Sequence, residues 1–247
     1  MVPAASRPIL MQKVMTASSP PPFAGLTTDC VLDALDSVGI HGDGRLPALN
    51  SYENRVYQAW REEESPVVVK FYRSARWSDE QILEEHALVA ELAAEEVPAV
   101  APLSIADRTL HAFNGFRFAV FARHGGRAPE LEQRSTLEQL GRYIARIHTI
   151  GAARRFVHRP ALTVETFGEE PRAYLLANQF IPVDLRASWQ SVVDLALPSI
   201  RRAYASVDVP TLRLHGDCPG ANVLLSDEGP HFVAFSDARP GPAVQHL

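Results

Sequence analysis

The sequence predicts an α+β protein of two lobes, the first rich in β-strands and the second mainly helical. Up to about residue 122, four β-rich runs surround one strong helical pattern. Beyond that point the apolar spacing is mainly helical, with short β-rich runs at Leu212 to Leu214 and Phe232 to Phe235. Such a change of pattern indicates two packed lobes, which we place at residues 26–122 and 123–247.

The composition excludes several classes of protein. The chain has 247 residues, 46% of them hydrophobic, which is enough to bury a sizeable core. Its net charge of −5 includes no block of like charge, so we expect no nucleic-acid partner. Cys30 and Cys218 share no short spacing, so neither a zinc site nor a disulfide framework is expected. No apolar stretch approaches membrane-spanning length, and we expect a cytoplasmic monomer without a membrane partner.

The first 25 residues differ in composition from the rest, because they contain five prolines. Their apolar run, Ile9 to Met11, is too short for a secretory signal. This composition predicts a disordered, Pro-rich extension ahead of the first lobe.

The first lobe is predicted to open with a helix and a hairpin. Thr27 or Thr28 can cap a helix that continues to Val38, where a group of glycines ends it. Residues 49–60 and 67–72 are β-rich runs joined by a short acidic turn. That arrangement predicts an antiparallel hairpin.

The remaining elements follow from caps, turns and apolar spacing. Ser78 caps an amphipathic helical pattern over residues 79–96. Residues 109–111 and 116–121 have strand composition, and Asn114-Gly115 predicts a tight turn between them. In the second lobe the predicted helices span residues 137–150, 174–178 and 189–204.

Residues 214–225, LHGDCPGANVLL, carry the strongest chemical signal in the chain. Phosphoryl transfer needs a carboxylate that accepts the proton of the nucleophile and a polar oxygen that binds Mg²⁺. Asp217 and Asn222 supply both groups from one loop. An isolated Asp and Asn at this spacing is also compatible with an ordinary surface turn. The preceding His-Gly and the following apolar triplet favour a catalytic loop.

This loop resembles the H-G-D-x-x-x-x-N loop of the aminoglycoside phosphotransferase and choline kinase-like group. Further segments resemble the stress response kinase A family of bacterial serine/threonine kinases, in order from about residue 45 to the last residue, over about four-fifths of the chain. The segments are LNSYENRVYQ, VVVKFYR, ILEEH, EEVPAVAPL, FAVF, GRYIARIH, FVHRP, LRLHGDC and DARPGPAVQ.

The resemblance implies a protein-kinase-like fold in which a β-rich N-lobe and a helical C-lobe bind ATP and Mg²⁺ between them. It also implies transfer of the γ-phosphate to a Ser or Thr hydroxyl of a protein substrate, in a stress response. Asp217 would act as the catalytic base and Asn222 as a metal ligand.

In the N-lobe the resemblance implies that Ser51 approaches the phosphates of ATP, although residues 51–54 are equally compatible with an ordinary polar turn. Lys70 ends a predicted buried strand, where a lysine needs a charged partner. Glu84 and Glu85 on the following helix point about 100° apart, so only one can face Lys70, and we expect Glu85. The alternative is a lysine on a solvent-facing edge and two solvated glutamates. His148 and His158 match the family and are expected to be structural.

The C-terminal segment VAFSDARPGPAVQHL departs from the family pattern. Ala234 stands where the family has its metal-binding Asp, and alanine cannot bind a metal. Two further acidic positions of the family hold Ser236 and His246. Asp237 survives, and we retain it as a weak candidate metal ligand beside Asn222.

Two alternatives to a protein kinase therefore remain. One is a small-molecule phosphotransferase, because aminoglycoside, choline and homoserine kinases use the same loop and fold does not fix substrate. The other is an inactive pseudokinase, which the loss at Ala234 favours. The family continues beyond the position of Leu247, so the C-lobe is expected to be incomplete.

Overall fold

The structure, a computed structural model, describes residues 21–246. Its N-lobe is built on a five-stranded antiparallel sheet in the order β1-β2-β3-β5-β4. β3 is buried along nearly its whole length because both faces of the sheet are covered there: residues of the first helix pack against Val69 and Phe71, and Ile82 packs against Tyr72 on the other face. The strands are β1 Ala48–Leu49, β2 Arg55–Ala59, β3 Val67–Tyr72, β4 His111–Phe113 and β5 Phe116–Ala122.

Two helices belong to this half of the chain. The first, α1, spans Thr28–Asp36, and the Thr27 hydroxyl accepts the Cys30 N–H at its start. The second, α2, spans Asp79–Ala94 and begins with a capping box between Ser78 and Gln81. Both caps satisfy N–H groups that would otherwise lack partners, so local sequence fixes where these helices begin.

The C-lobe combines helices with two small hairpins. β6 pairs with β9 and β7 with β8, both antiparallel. Short 3₁₀ turns cover Gly220–Asn222, Phe235–Asp237 and Ala243–His246, and a π-helical turn covers Glu165–Glu169. The other elements are α3 Arg134–Ala153, α4 Glu170–Ala177, α5 Arg186–Ala205, β6 Thr211–Leu214, β7 Val223–Ser226, β8 Gly229–Phe232 and β9 Arg239–Pro242.

Three predicted strands have different bounds in the structure. The run 49–60 is divided between β1 and β2 by a bend, and the strand expected at 109–111 lies at His111–Phe113. The run Phe232 to Phe235 is not one strand, because β8 ends at Phe232. Ala234 then adopts left-handed backbone angles, φ 64° and ψ 46°, which no strand accommodates.

Three apolar clusters form the core of residues 21–246, the smallest of them made of Tyr72, Trp77, Ile82 and Ala119. The two others are larger. One lies on the sheet and combines Val31 and Leu35 of α1 with Phe71 and Phe118 of the strands. The other combines Leu88 and Leu92 of α2 with α3, β7 and β8. Helix α2, which follows β3 in the chain, therefore also packs against the C-lobe. Its side chains consequently lie at the junction between the two lobes.

Most of the proposed Pro-rich extension lies outside the described residues. Within residues 21–25 the chain forms a turn, and Phe23 packs against the apolar cluster on the sheet. The Arg55 guanidinium lies 4.9 Å from the centre of the Phe23 ring. Between residues 21 and 246, no helix is both long enough and apolar enough to cross a membrane.

Candidate functional site

A buried ion pair joins the central strand to helix α2. Lys70 on β3 is 8% exposed, and its Nζ donates to Glu85 Oε1 at 2.9 Å. Burial alone raises the pKa of Glu85, but the charges of Lys70 and Arg159 outweigh it and hold that pKa below its ordinary value. The carboxylate is therefore ionised at neutral pH and pairs with a lysine in the N-lobe core.

Glu84 points elsewhere, as the helical spacing requires. Its carboxylate accepts the backbone N–H groups of Val157 at 2.5 Å, His158 at 3.0 Å and Arg159 at 2.9 Å. The Gln81 side chain also donates to the His158 carbonyl at 2.9 Å. The backbone of His158, rather than its ring, thus connects the segment after α3 to α2.

The loop that carries Asp217 is fixed from behind by His215. This residue follows β6, is fully buried and lies 4.1 Å from Phe235 between ring centres. Its Nε2 lies 2.8 Å from the Val233 carbonyl, so that nitrogen must carry a proton and donate. Gly216 has a φ of 85°, and a Cβ there would lie 2.0 Å from the Asp237 carbonyl oxygen. The His-Gly pair is thus required by close packing as well as by backbone conformation.

Asp217 and Asn222 meet at the surface of this loop. Asn222 Nδ2 donates to the Asp217 carbonyl at 2.9 Å and to Asp217 Oδ2 at 3.2 Å. Asp217 is exposed, while Asn222 ends the 3₁₀ turn that begins at Gly220. The arrangement orients an accessible carboxylate, which is the geometry that a general base needs.

The segment expected to hold a metal offers few ligands. Ala234 has no ligand atom, and the Asp237 carboxylate is occupied by arginines, with Oδ1 lying 2.7 Å from Arg239 and 3.4 Å from Arg76. Across residues 21–246, no cluster of three or more His, Cys, Asp or Glu side chains could hold a metal ion. Asn222 alone would be a neutral ligand. The residues present therefore do not fit a Mg²⁺ site.

The loop between β1 and β2 is tied to this same segment. Asn54 is 5% exposed, and its Nδ2 donates to Ser236 Oγ at 3.2 Å while its Oδ1 accepts the Arg73 N–H at 3.1 Å. Arg76 connects Glu53, at 2.6 Å, with Asp237. Ser51 lies half-buried in the same loop. These contacts fix the base of the loop that, on the family resemblance, is expected to lie over the phosphates of ATP.

His246 occupies another of the positions that depart from the family pattern, and it contacts the backbone of the catalytic loop. Its Nε2 accepts the Gly216 N–H at 3.3 Å, so the proton of the neutral ring lies on Nδ1, which donates to His148 Nε2 at 2.9 Å. Burial, together with the nearby His148 and His215, lowers the pKa of His246 to about 4. The ring is therefore neutral near pH 7 and can serve as the acceptor.

Three side chains with roles at this site were not singled out from the sequence. They are Arg159, Asn54 and Arg76. Each hydrogen-bonds a residue that lies 74 or more positions away in the sequence, so the sequence gives no local sign of the contact. Arg159 and Asn54 do lie in segments that carry the family resemblance, FVHRP and LNSYENRVYQ. Their polar character within those segments was the only available signal.

A separate cavity of about 390 Å³ opens beside the β1–β2 loop. Its walls include Pro22, Phe23, Tyr52 and Arg73, but neither Lys70 nor Asp217. We therefore do not assign the nucleotide to this cavity, because the ion pair and the catalytic loop lie elsewhere.

Comparison with known sequences identifies the family of this chain. The profile of the family described as phosphotransferase enzyme family matches residues 32–247. Stress response kinase A of Shigella flexneri is 43% identical over 225 residues, covering 91% of this chain and 68% of that protein. Serine/threonine protein kinase RdoA of Salmonella typhimurium is 42% identical over the same shares of the two chains.

Solved structures share the fold. A microcompartment-associated aminopropanol kinase has a TM-score of 0.68 at 20% identity, covering 88% of this chain and 71% of that one. An amicoumacin kinase, determined with AMP-PNP, Ca²⁺ and amicoumacin, has a TM-score of 0.65 at 19% identity. The match covers 82% of this chain, which spans 61% of the length of that kinase. With a family match over most of its length, the chain belongs to the phosphotransferase enzyme family.

Proposed function

We propose that this chain binds ATP between its lobes and transfers the γ-phosphate to a Ser or Thr hydroxyl of a protein. The observation that carries the proposal is the buried Lys70–Glu85 pair on the central strand and helix α2. A lysine placed there with one carboxylate partner retains N–H donors for the α- and β-phosphates of a nucleotide.

The chain's own residues then have defined roles. Lys70 holds the phosphates, and the exposed Asp217 carboxylate accepts the proton of the substrate hydroxyl. As that proton leaves, the hydroxyl oxygen bonds to the γ-phosphorus and the bond from phosphorus to ADP breaks. Asn222 keeps Asp217 oriented through its two hydrogen bonds.

A protein substrate is favoured over a small molecule by sequence similarity. A relative at 42% identity bears the name serine/threonine protein kinase. The kinases of aminopropanol and amicoumacin share the fold at about 20% identity, and fold does not fix substrate. Mg²⁺ has a poor site here, so we expect slow turnover.

A second candidate function is a nucleotide-binding pseudokinase. Ala234 favours it, because no carboxylate occupies the position that binds the metal in the family, and Asp237 is paired with Arg239 and Arg76. Phosphoryl transfer from ATP without a bound cation leaves much of the developing phosphate charge unneutralised. In that case ATP binding would persist without turnover.

The two candidates are separated by transfer of radiolabelled phosphate from ATP. The acceptors would be the chain itself, a casein-type protein and a panel of small amino alcohols and aminoglycosides, each with and without Mg²⁺. Labelling of protein on Ser or Thr that disappears in Asp217→Asn supports the kinase. Labelling of small acceptors alone refutes the protein substrate. ADP binding with no labelling of any acceptor favours the pseudokinase.

A further inference from the structure

A single arginine links the nucleotide clamp to the C-lobe. Arg159 follows α3, and its side chain is 0% exposed. Its guanidinium donates to Glu85 Oε2 at 2.9 Å and to the Gln81 carbonyl at 2.7 Å. It also donates to the Ser236 carbonyl at 2.5 Å and to the Ala238 carbonyl at 2.9 Å. The indole of Trp77 covers one face of the group, with 4.3 Å between the guanidinium carbon and the ring centre.

Glu85 is thereby shared between two cations. Oε1 accepts from Lys70 and Oε2 from Arg159, both at 2.9 Å. A carboxylate with one cationic partner can still turn about its terminal bond, because either oxygen can make the contact. A carboxylate held at both oxygens has one orientation, because rotation would leave a buried charge unpaired.

The segment that carries Arg159 is itself fixed to α2. Glu84 accepts three consecutive backbone N–H groups, those of residues 157–159, and Gln81 bonds the His158 carbonyl. Two neighbouring glutamates on α2 therefore hold this segment in different ways. Glu84 binds the backbone of the segment, and Glu85 binds the side chain of Arg159. The contacts leave α2 little freedom to move relative to the C-lobe.

We propose that Arg159 is a positioning residue that keeps Glu85 against Lys70 and fixes α2 to residues 236–238 before any nucleotide binds. The proposal deepens the proposed function, since it rests on Lys70 and Glu85 being the phosphate clamp. Its consequence is a clamp assembled in advance, with no swing of α2 needed to bring the pair together.

The chain offers a clean test, because its sequence holds only two lysines, Lys13 and Lys70. The folded protein without nucleotide is treated with sulfosuccinimidyl acetate, and acetylation of each lysine is followed by mass spectrometry. Lys13 provides the internal reference. An assembled clamp predicts that Lys70, normalised to Lys13, reacts about tenfold or more slowly in the folded parent than in the urea-unfolded parent, because the amine is buried and donates to Glu85.

Two variants then test Arg159 itself. Arg159→Met removes the four hydrogen bonds that hold Glu85 and α2 in place, so the Lys70 amine should become accessible more often, and we expect the ratio of Lys70 to Lys13 acetylation to rise about tenfold. Arg159→Lys keeps the charge without the planar fork, and we expect a smaller rise. Arg155→Met, an exposed arginine on the same segment, is the matched control and should leave the ratio unchanged.

Circular dichroism establishes that each variant is folded. If Arg159→Met does not fold, the test rests on the ratio of Lys70 to Lys13 acetylation in Arg159→Lys compared with that in the parent. The proposal is overturned if Lys70 in the folded parent reacts as fast as it does in the urea-unfolded parent, or if Lys70 stays equally protected in the folded variants of Arg159. The assay contains no nucleotide, so failure of the parent to bind ADP in a separate titration would defeat the proposed function without altering this result.

Discussion

The two sides of the candidate site differ in how their charges are satisfied. On the N-lobe side, Lys70, Glu85 and Arg159 are buried, and both oxygens of the carboxylate have a cationic partner. On the C-lobe side, Asp217 is exposed, and Asp237 is paired with arginines that leave it poorly suited to a cation. The groups that would hold a nucleotide are complete, whereas those that would hold its metal are not.

On the proposed function, this difference predicts that nucleotide binding and phosphoryl transfer can be separated within this fold. Ground-state binding of a nucleotide depends on the clamp, and turnover depends on charge stabilisation that develops in the transition state. A chain that keeps the first and has altered the second should bind nucleotide well and react slowly. Four predictions test this contrast.

The largest effect is expected at Asp217. Asp217→Asn should lower any phosphoryl transfer by ~10²–10⁴-fold, because the general base acts in the chemical step. ADP affinity should stay within a few-fold, because Asp217 is not part of the clamp. Initial rates of transfer and calorimetric titration measure the two quantities. Equal activity of variant and parent would remove Asp217 from the mechanism.

The next largest effect is expected at Lys70. Lys70→Ala removes a charge-assisted contact with the phosphates worth ~1.5–3 kcal/mol, which weakens ADP binding by ~10–150-fold. Arg134→Ala, which removes a 92% exposed cation on α3, controls for the change of net charge. Calorimetry that shows unchanged ADP affinity in Lys70→Ala would mean that the pair is purely structural.

A smaller effect should follow repair of the metal side. Ala234→Asp supplies a carboxylate at the altered position, and aspartate tolerates the left-handed backbone there better than most residues do. Mg²⁺ should then strengthen ADP binding by about tenfold more than in the parent. Ser135→Asp, at an exposed position in the first turn of α3, adds the same charge away from this segment as a control. An equal response of both variants would indicate a general charge effect instead of a ligand.

The smallest effect concerns pH. His246 has a folded pKa of about 4 against an ordinary value of 6.5, so the unfolded chain binds the proton more readily. The neutral His246 ring therefore contributes to the free energy of unfolding fully above pH 6.5, and this contribution is lost as the pH falls through 4. After allowance for partial exposure, the loss is ~1–2 kcal/mol. His148 and His215 face the same ring, so a positive charge on either of them opposes protonation of His246 in the folded protein.

Urea unfolding of the parent and of His246→Gln, at several pH values between 7 and 4, measures this contribution. The variant should lose less stability than the parent over that range, because it has no proton to take up at this site. His41→Gln, on an exposed histidine, is the control. Parallel stability curves for the parent and His246→Gln would show that the ring does not titrate as inferred.

The sequence by itself determined the two-lobed plan. Apolar spacing and the Ser78 cap located α2, and alternating and β-branched runs located β3 and β5, because these signals are local and repeat along each element. It also placed Asp217 and Asn222 five residues apart in one loop, a spacing that the 3₁₀ turn converts into direct contact. Local patterns failed where the backbone is unusual, as at Ala234.

Only the tertiary structure decided how charges are distributed among partners. Helical spacing predicted that Glu84 and Glu85 diverge and that one faces Lys70, but the segment that both also bind, residues 157–159, lies more than 70 residues away. The structure likewise brings Arg76 to Asp237 and His246 to Gly216. Such contacts join residues far apart in the sequence, so no local pattern encodes them.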